Sequence, residues 1–168
     1  PSKNYETMLR AMEKFLDKNI ILLIIGHDPK KVTPLFKKLV HLKPDNVHFL
    51  CTKKNISDYM IHSDAFFLGS LSEGMPITVI EAMSIPLPIL CTPIGGLVDM
   101  IKENRNGFLS EDFKVESIVK LINKYLTSTP GQISKICENN LLDYNSKYSM
   151  ESCASQHVKL YTKEQIQK

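Results

Sequence analysis

Tyr5, Met8, Leu9, Met12, Phe15 and Leu16 recur at the spacing of one helix face, which predicts an amphipathic helix over about 5–18. The next pattern is different. Ile20 to Ile25 is a continuous aliphatic run stopped by Gly26, the mark of a buried strand. A helix follows over about 33–42, then a short strand at Val47 to Leu50. Asn55 to His62 reads as a short helix with Asn55 as its N-cap, and Ala65 to Leu68 as another strand. A helix dense in apolar residues runs on from Pro76, which marks its start. Because it is apolar nearly all round, it is expected to be buried. Pro88 to Cys91 is the next strand, Gly95-Gly96 opens a helix reaching Glu103, and Asn106-Gly107 turns into a strand at Phe108-Leu109. Asp112 can cap a helix over about 114–127, and two more helices, about 131–143 and 149–166, follow with no strand between them. Alternating strands and helices imply an α/β domain: a Rossmann-like, doubly wound parallel sheet with C-terminal helices.

Composition narrows this picture. At 168 residues the chain is one domain with room for a real core. Its net charge of +3 is small, and the lysine pairs Lys30-Lys31, Lys37-Lys38 and Lys53-Lys54 lack interleaved aromatics, so no nucleic-acid partner is expected. Cys51, Cys91, Cys137 and Cys153 form no CxxC pair and no metal-ligand spacing. Cys51 and Cys91 read as small apolar residues at strand ends, and all four as reduced thiols of a cytoplasmic protein. No apolar run approaches the ~18 residues of a membrane span.

Candidate chemistry gathers at the carboxyl ends of the strands, where ligands bind in such folds. Those ends carry Gly26-His27-Asp28, Cys51-Thr52-Lys53, Gly69 to Pro76, and Thr92 to Gly96. The sharpest feature is a pair of carboxylates, Glu73 in a Gly-containing turn and Glu81 inside the apolar helix, eight positions apart. Gly74 lets backbone approach a ligand, and the amides of Met75, Pro76's successor Ile77 and Thr78 at the helix start form an anion site suited to a diphosphate. Glu81, a turn deeper, is placed to accept hydrogen bonds from ribose hydroxyls, and Glu73 from a sugar on the other side of the phosphates. The competing reading makes Glu73 a solvated loop residue and Glu81 the partner of a buried Lys or backbone amide. His27 and Asp28 read as polar loop residues.

Ser72-Glu73-Gly74-Met75-Pro76, followed by Glu81-Ala82-Met83, resembles the Glu-x7-Glu signature of retaining, nucleotide-sugar-dependent glycosyltransferases of glycosyltransferase family 4. The resemblance extends along the chain through Leu23 to Gly26, His62 to Leu68, Pro88 to Asp99, and Asn106 to Leu109. It implies the C-terminal, donor-binding half of the two-domain GT-B fold. It assigns Glu73 to the donor sugar, the amides of Gly74, Met75 and Ile77, with the Pro76 turn, to sugar and phosphate oxygens, and Glu81 to the ribose. Lys3 matches a lysine that neutralises the diphosphate, and Gly95 and Gly96 match a glycine turn near the donor. An accompanying arginine falls before Pro1. Asp99 stands where the family has a glutamate, a departure that leaves its role open.

The implied activity is transfer of a hexosyl group from a nucleotide-diphosphate sugar to a glycan, lipid or small-molecule acceptor, with retention, as in polysaccharide biosynthesis. No Asp-x-Asp occurs in the chain, so no cofactor and no metal is expected. The implied partners are the nucleotide sugar, a glycan or lipid-linked acceptor, and an N-terminal acceptor domain through which the protein meets the inner face of the membrane. Neither that domain nor the family's first C-terminal strand is recognisable, so the isolated chain is expected to be inactive. The helix over 149–166 is expected to pack on the other domain. Two alternatives stay open: a sugar-nucleotide epimerase of the same architecture, separable by product analysis, and a non-catalytic nucleotide-binding module, which would bind without turnover.

Overall fold

The computed structural model describes residues 3–27 and 34–166. The first half runs α1 (Tyr5–Met12), β1 (Leu22–His27), α2 (Pro34–Leu42), β2 (Val47–Cys51), α3 (Ile56–Ile61) and β3 (Phe66–Leu68). Then come α4 (Ile77–Ser84), β4 (Ile89–Cys91), α5 (Leu97–Met100) and β5 (Phe108–Leu109). The helices α6 (Val115–Leu126), α7 (Pro130–Asp143) and α8 (Met150–Ile166) complete the order. Pro1, Ser2, Asp28, Lys30, Lys31 and the expected first residue of α2, at 33, lie outside the described residues.

The α/β order read from the sequence is the order observed, and every strand pairing is parallel. The strands form two sheets, however: β1 with β2, and β3-β4-β5. Leu22 to Ile25 pair in step with Val47 to Leu50, and the register slips where Gly26 adopts a φ of 116°, a conformation open to glycine. Both sheets share one core. Leu9, Met12 and Phe15 of α1 and its following turn pack with Ile24 and Val47 from the first sheet and Leu90 and Phe108 from the second. A second cluster joins Val79, Ala82 and Met83 of α4 to Ile89, Cys91 and Leu97.

Several local expectations change. The first helix ends at Met12 and passes into a short 3-10 turn, Glu13–Phe15, and α5 is a single turn ending at Met100. Asn55 is the N-cap residue of α3, as expected, but its side chain makes no capping bond and its amide donates instead to Asp58 Oδ2 at 2.6 Å. Lys114, not Asp112, is the N-cap of α6, although Asp112 Oδ1 accepts from the Lys114 amide at 2.9 Å. Cys91 is fully buried, and burial, then the Glu103 charge, pushes its thiol up to about 12. Cys51, the last paired residue of β2, is exposed.

The main correction concerns α4. Val79, Ala82 and Met83 are buried, but Ile77 is 68% exposed and Thr78 and Glu81 are exposed too. Only one side of the helix faces the core. Apolar residues on its other side made it look wholly internal.

Helix α7 starts with a capping box: Thr129 Oγ1 accepts from the Gln132 amide at 3.3 Å, and Gln132 Oε1 from the Thr129 amide at 2.8 Å. It ends on Asp143, which Arg105, Asn106 (3.0 Å) and Lys147 (2.8 Å) surround. That cluster ties the helix to the connection between α5 and β5.

Candidate functional site

The turn after β3 and the turn after β4 meet at the carboxyl end of the second sheet. Thr92, fully buried, joins them: its amide donates to Leu68 O at 3.1 Å and its hydroxyl to Ser70 O at 2.6 Å. Ser70 is buried as well, and its hydroxyl donates to Glu73 Oε1 at 2.7 Å. Lys3, arriving just ahead of α1, donates to the same oxygen at 2.5 Å. Gly69 makes room for that arrival, since a Cβ there would stand 2.7 Å from Met8 Sδ.

Glu73 is thereby held by one cation and one hydroxyl with its side chain 17% exposed. The Lys3 bond, then the Ser70 bond, hold its carboxyl below the usual range, against the opposing effect of partial burial. It is therefore ionised at neutral pH and acts as a hydrogen-bond acceptor. Both bonds end on Oε1, so Oε2 keeps its lone pairs for a further donor. Lys3, half exposed, still has two of its three N–H donors. Burial raises the neighbouring Tyr5 hydroxyl, whose ring meets Phe49 edge-on at 6.5 Å.

Gly95 supports the Glu73 turn from below. Its φ is 43°, and a Cβ on it would lie 2.8 Å from Glu73 O, so both the backbone conformation and the close approach require glycine. A Cβ on Gly96 would make ordinary contact with Gly74 O at 3.9 Å. Gly74 itself has nothing within 4 Å of such an atom, so the turn presents open space there.

Pro76 is the N-cap residue of α4, one position before the helix, and it is buried. Its carbonyl accepts from Val79 at 3.0 Å, which leaves the Ile77 and Thr78 amides as the outward donors of the first turn. Ile77, Thr78 and Glu81 share one face of the helix. Glu81 is exposed, and no described residue holds its carboxylate. The buried carboxylate expected from the sequence is thus an open one, because Glu81 lies on the side of α4 that faces away from the core.

The structure brings together Lys3, Glu73, Gly74, Gly95 and Gly96, and sets Met75, Ile77, Thr78 and Glu81 on the exposed rim beside Pro76. Met75 is 68% exposed. Sequence reasoning missed Ser70 and Thr92, although both lie in strand-end segments that had been singled out. A small hydroxyl directly after a strand was the available signal. Among the described residues no group of three His, Cys, Asp or Glu side chains is placed to hold a metal ion, and no helix is long and apolar enough to cross a membrane.

This arrangement is accompanied by similarity along most of the chain. A model of the family "Glycosyl transferases group 1" matches residues 1–140. The chain belongs to that family. It is 31% identical over 125 residues to an uncharacterized glycosyltransferase of Haemophilus influenzae, covering 70% of this chain and 34% of the relative. It is 29% identical over 124 residues to the lipopolysaccharide glucosyltransferase WaaG of Escherichia coli, covering 73% of this chain and 33% of WaaG. The chain thus spans about a third of the length of these curated relatives. A glycosyltransferase from Rickettsia africae has the same fold over 97% of this chain and 45% of its own, with a TM-score of 0.85 at 20% identity. Anabaena HepE, solved with UDP and glucose, matches over 97% and 46% with a TM-score of 0.85 at 18% identity. This member of glycosyl transferases group 1 therefore has the Rossmann-like architecture of one GT-B half.

Proposed function

We propose that this chain is the donor-binding half of a retaining glycosyltransferase of family 4, and that Glu73 and Glu81 are the two glutamates of its signature. The observation that carries the reading is Glu73: an ionised carboxylate with one oxygen saturated by Lys3 and Ser70 and the other free, at the carboxyl end of β3 beside the start of α4. In this reading Glu73 Oε2 accepts from a hydroxyl of the transferred hexose. The diphosphate lies against the amides of Gly74, Met75, Ile77 and Thr78 and the free donors of Lys3, and Glu81 accepts from the ribose hydroxyls. A nucleotide sugar is supported as donor by family membership and by HepE, which was solved with UDP and with UDP-glucose.

Transfer breaks the bond between the sugar C1 and the diphosphate oxygen and forms one from C1 to the acceptor oxygen on the same face, while the acceptor's hydroxyl proton passes to the departing diphosphate. Charge grows on the departing diphosphate. Preorganised amides and an ammonium group at that position stabilise it in the way a metal ion does elsewhere. Activity of the full-length protein is accordingly expected to survive EDTA.

The acceptor, a glycan or lipid-linked molecule, is assigned to an N-terminal domain that also carries any contact with the cytoplasmic face of the membrane. The exposed face of α8 packs against that domain, and the chain alone is inactive. UDP-, GDP- and ADP-sugars should be screened for thermal stabilisation of this chain, and the anomeric configuration of the full-length protein's product read by NMR. A stabilising sugar nucleotide and a product of retained configuration are expected. Binding without turnover by the full-length protein would make it a nucleotide-binding module, and an epimerised free nucleotide sugar an epimerase.

A further inference from the structure

Among the described residues two that are not glycine have a left-handed backbone, Asn4 with a φ of 52° and Asn104 with a φ of 59°. Asn104 is explained by its turn, in which its amide donates to Gly107 O at 3.0 Å. Asn4 has no such turn. It is the N-cap residue of α1, with a ψ of 33°, and its side chain makes no capping bond. A residue at that place ordinarily has extended backbone and caps the helix with its side chain, and asparagine is among the best at doing so. Here the capping bond is forgone, and a conformation that L-residues resist is adopted in its place. The Asn4 carboxamide donates instead to Phe113 O at 3.4 Å, a long bond that offsets little of this cost.

Fixed points stand on either side of Asn4. Helix α1 begins at Tyr5 and is held by Met8, Leu9, Ala11 and Met12, all buried. Glu73 is held by the Ser70 hydroxyl at 2.7 Å, and its carbonyl rests against Gly95. Lys3 spans from one to the other, donating to Glu73 Oε1 at 2.5 Å. Asn4 is the single residue between Lys3 and the helix, so its φ and ψ set the direction in which Lys3 leaves. Turning Asn4 into the extended region would rotate the chain ahead of it by more than about 100° and carry the Lys3 side chain off the line to Glu73.

We propose that Asn4 is a positioning residue of the candidate site: its left-handed backbone turns the chain out of α1 and aims the Lys3 ammonium at Glu73. Asparagine holds that conformation at less cost than most side chains, and glycine holds it more freely still. A β-branched residue resists it most. The consequence for function rests on the donor-binding reading, in which Asn4 acts through Lys3 by placing the cation that receives the diphosphate.

The test compares Asn4→Val with Asn4→Gly. The Glu73 carboxyl is titrated by carbon-13 NMR in each, and Lys3→Met marks its behaviour without the ion pair. In the wild type the Lys3 bond is the strongest of the influences that hold this carboxyl down. Asn4→Val is expected to titrate at higher pH than the wild type, close to Lys3→Met, and Asn4→Gly close to the wild type. Should valine prevent folding, Asn4→Ala takes its place and is expected to shift in the same direction. In the full-length protein, calorimetry with whichever of UDP, GDP and ADP the wild type binds should show roughly 10-fold weaker binding for Asn4→Val and little change for Asn4→Gly. A wild-type Glu73 titration in Asn4→Val, or in Asn4→Ala where that replaces it, would overturn the inference even if the melting point had fallen. An equal shift in Asn4→Gly would overturn it too. The titration needs no donor, so a wild type that binds none of the three nucleotides counts against the donor-binding reading alone.

Discussion

Glu73 is held through one carboxylate oxygen, and the second-tier hydroxyl of Ser70 helps set both its orientation and its charge. A group whose carboxyl is depressed on folding stays ionised until the pH falls through its lowered value. If ionised Glu73 is needed, the acid limb of the pH–rate profile lies below the ordinary carboxylate range. Ser70→Ala removes one of the two depressing bonds, so the limb should move toward higher pH. It should also lower kcat/KM by roughly 3- to 10-fold, the worth of one charge-assisted bond, with little change in melting. An unmoved limb would show that Lys3 alone sets Glu73. Glu81 offers the contrasting case. It is exposed and unheld, so Glu81→Gln should leave the melting point nearly unchanged. Nucleoside diphosphate binding, measured by calorimetry on the full-length protein, should weaken roughly 10- to 100-fold.

Between elements, single residues join parts distant in sequence. Gly95→Ala places a methyl against Glu73 O and forces a left-handed backbone on a residue that resists it. Destabilisation by about 1–3 kcal/mol is expected in urea, with weaker donor binding because the Glu73 turn is pushed outward. Gly96→Ala, with ordinary contacts, should change little and serves as the comparison. Asp143 joins α7 to the connection before β5. The Arg105 bond, then the Lys147 bond, hold its carboxyl down to about 2 from the ordinary 3.8, against the cost of burial. A depressed carboxyl stabilises the fold above its unfolded value and loses that contribution as the pH falls through the folded one. Between about pH 4 and pH 2 the wild type should therefore lose up to about 2 kcal/mol from this site. Asp143→Ala should cost about 1–3 kcal/mol at pH 7, because Arg105 and Lys147 can return to water and Asn106 still donates to Met100 O. At pH 2 the two proteins should differ far less in urea titrations.

Across the whole molecule, stability is expected to fall off toward α8. Met150, Val158, Leu160 and Tyr161 are 82%, 60%, 63% and 67% exposed, so the helix has little apolar packing to hold it. Its amides should exchange faster than those of α4, whose Val79, Ala82 and Met83 are fully buried. Joining the chain to the N-terminal domain proposed for it should slow exchange in α8 while leaving α4 unchanged. Equal protection of both helices in this chain alone would remove the proposed role of α8 as an interdomain contact.

Element type and order were legible because they depend on local pattern: the runs at Ile20 to Ile25 and Ala65 to Leu68, the spacing in α1, and the glycines at 26, 74 and 95 each carry their own backbone signal. The likeness around Glu73 is local in the same way, carried by Ser72 to Pro76 and Glu81 to Met83. What the local pattern did not contain was the surroundings of each side chain. Ile77 and Thr78 look the same in sequence whether α4 is wrapped by protein or open on one side, and Glu81 changes from a buried charge to a free one with that difference. Ser70 and Thr92 acquire their roles only when the turns after β3 and β4 are brought together, and Lys3 meets Glu73 across 70 positions of chain. Periodicity records which way a side chain points, while the partner it finds there is set by packing between segments far apart in the chain.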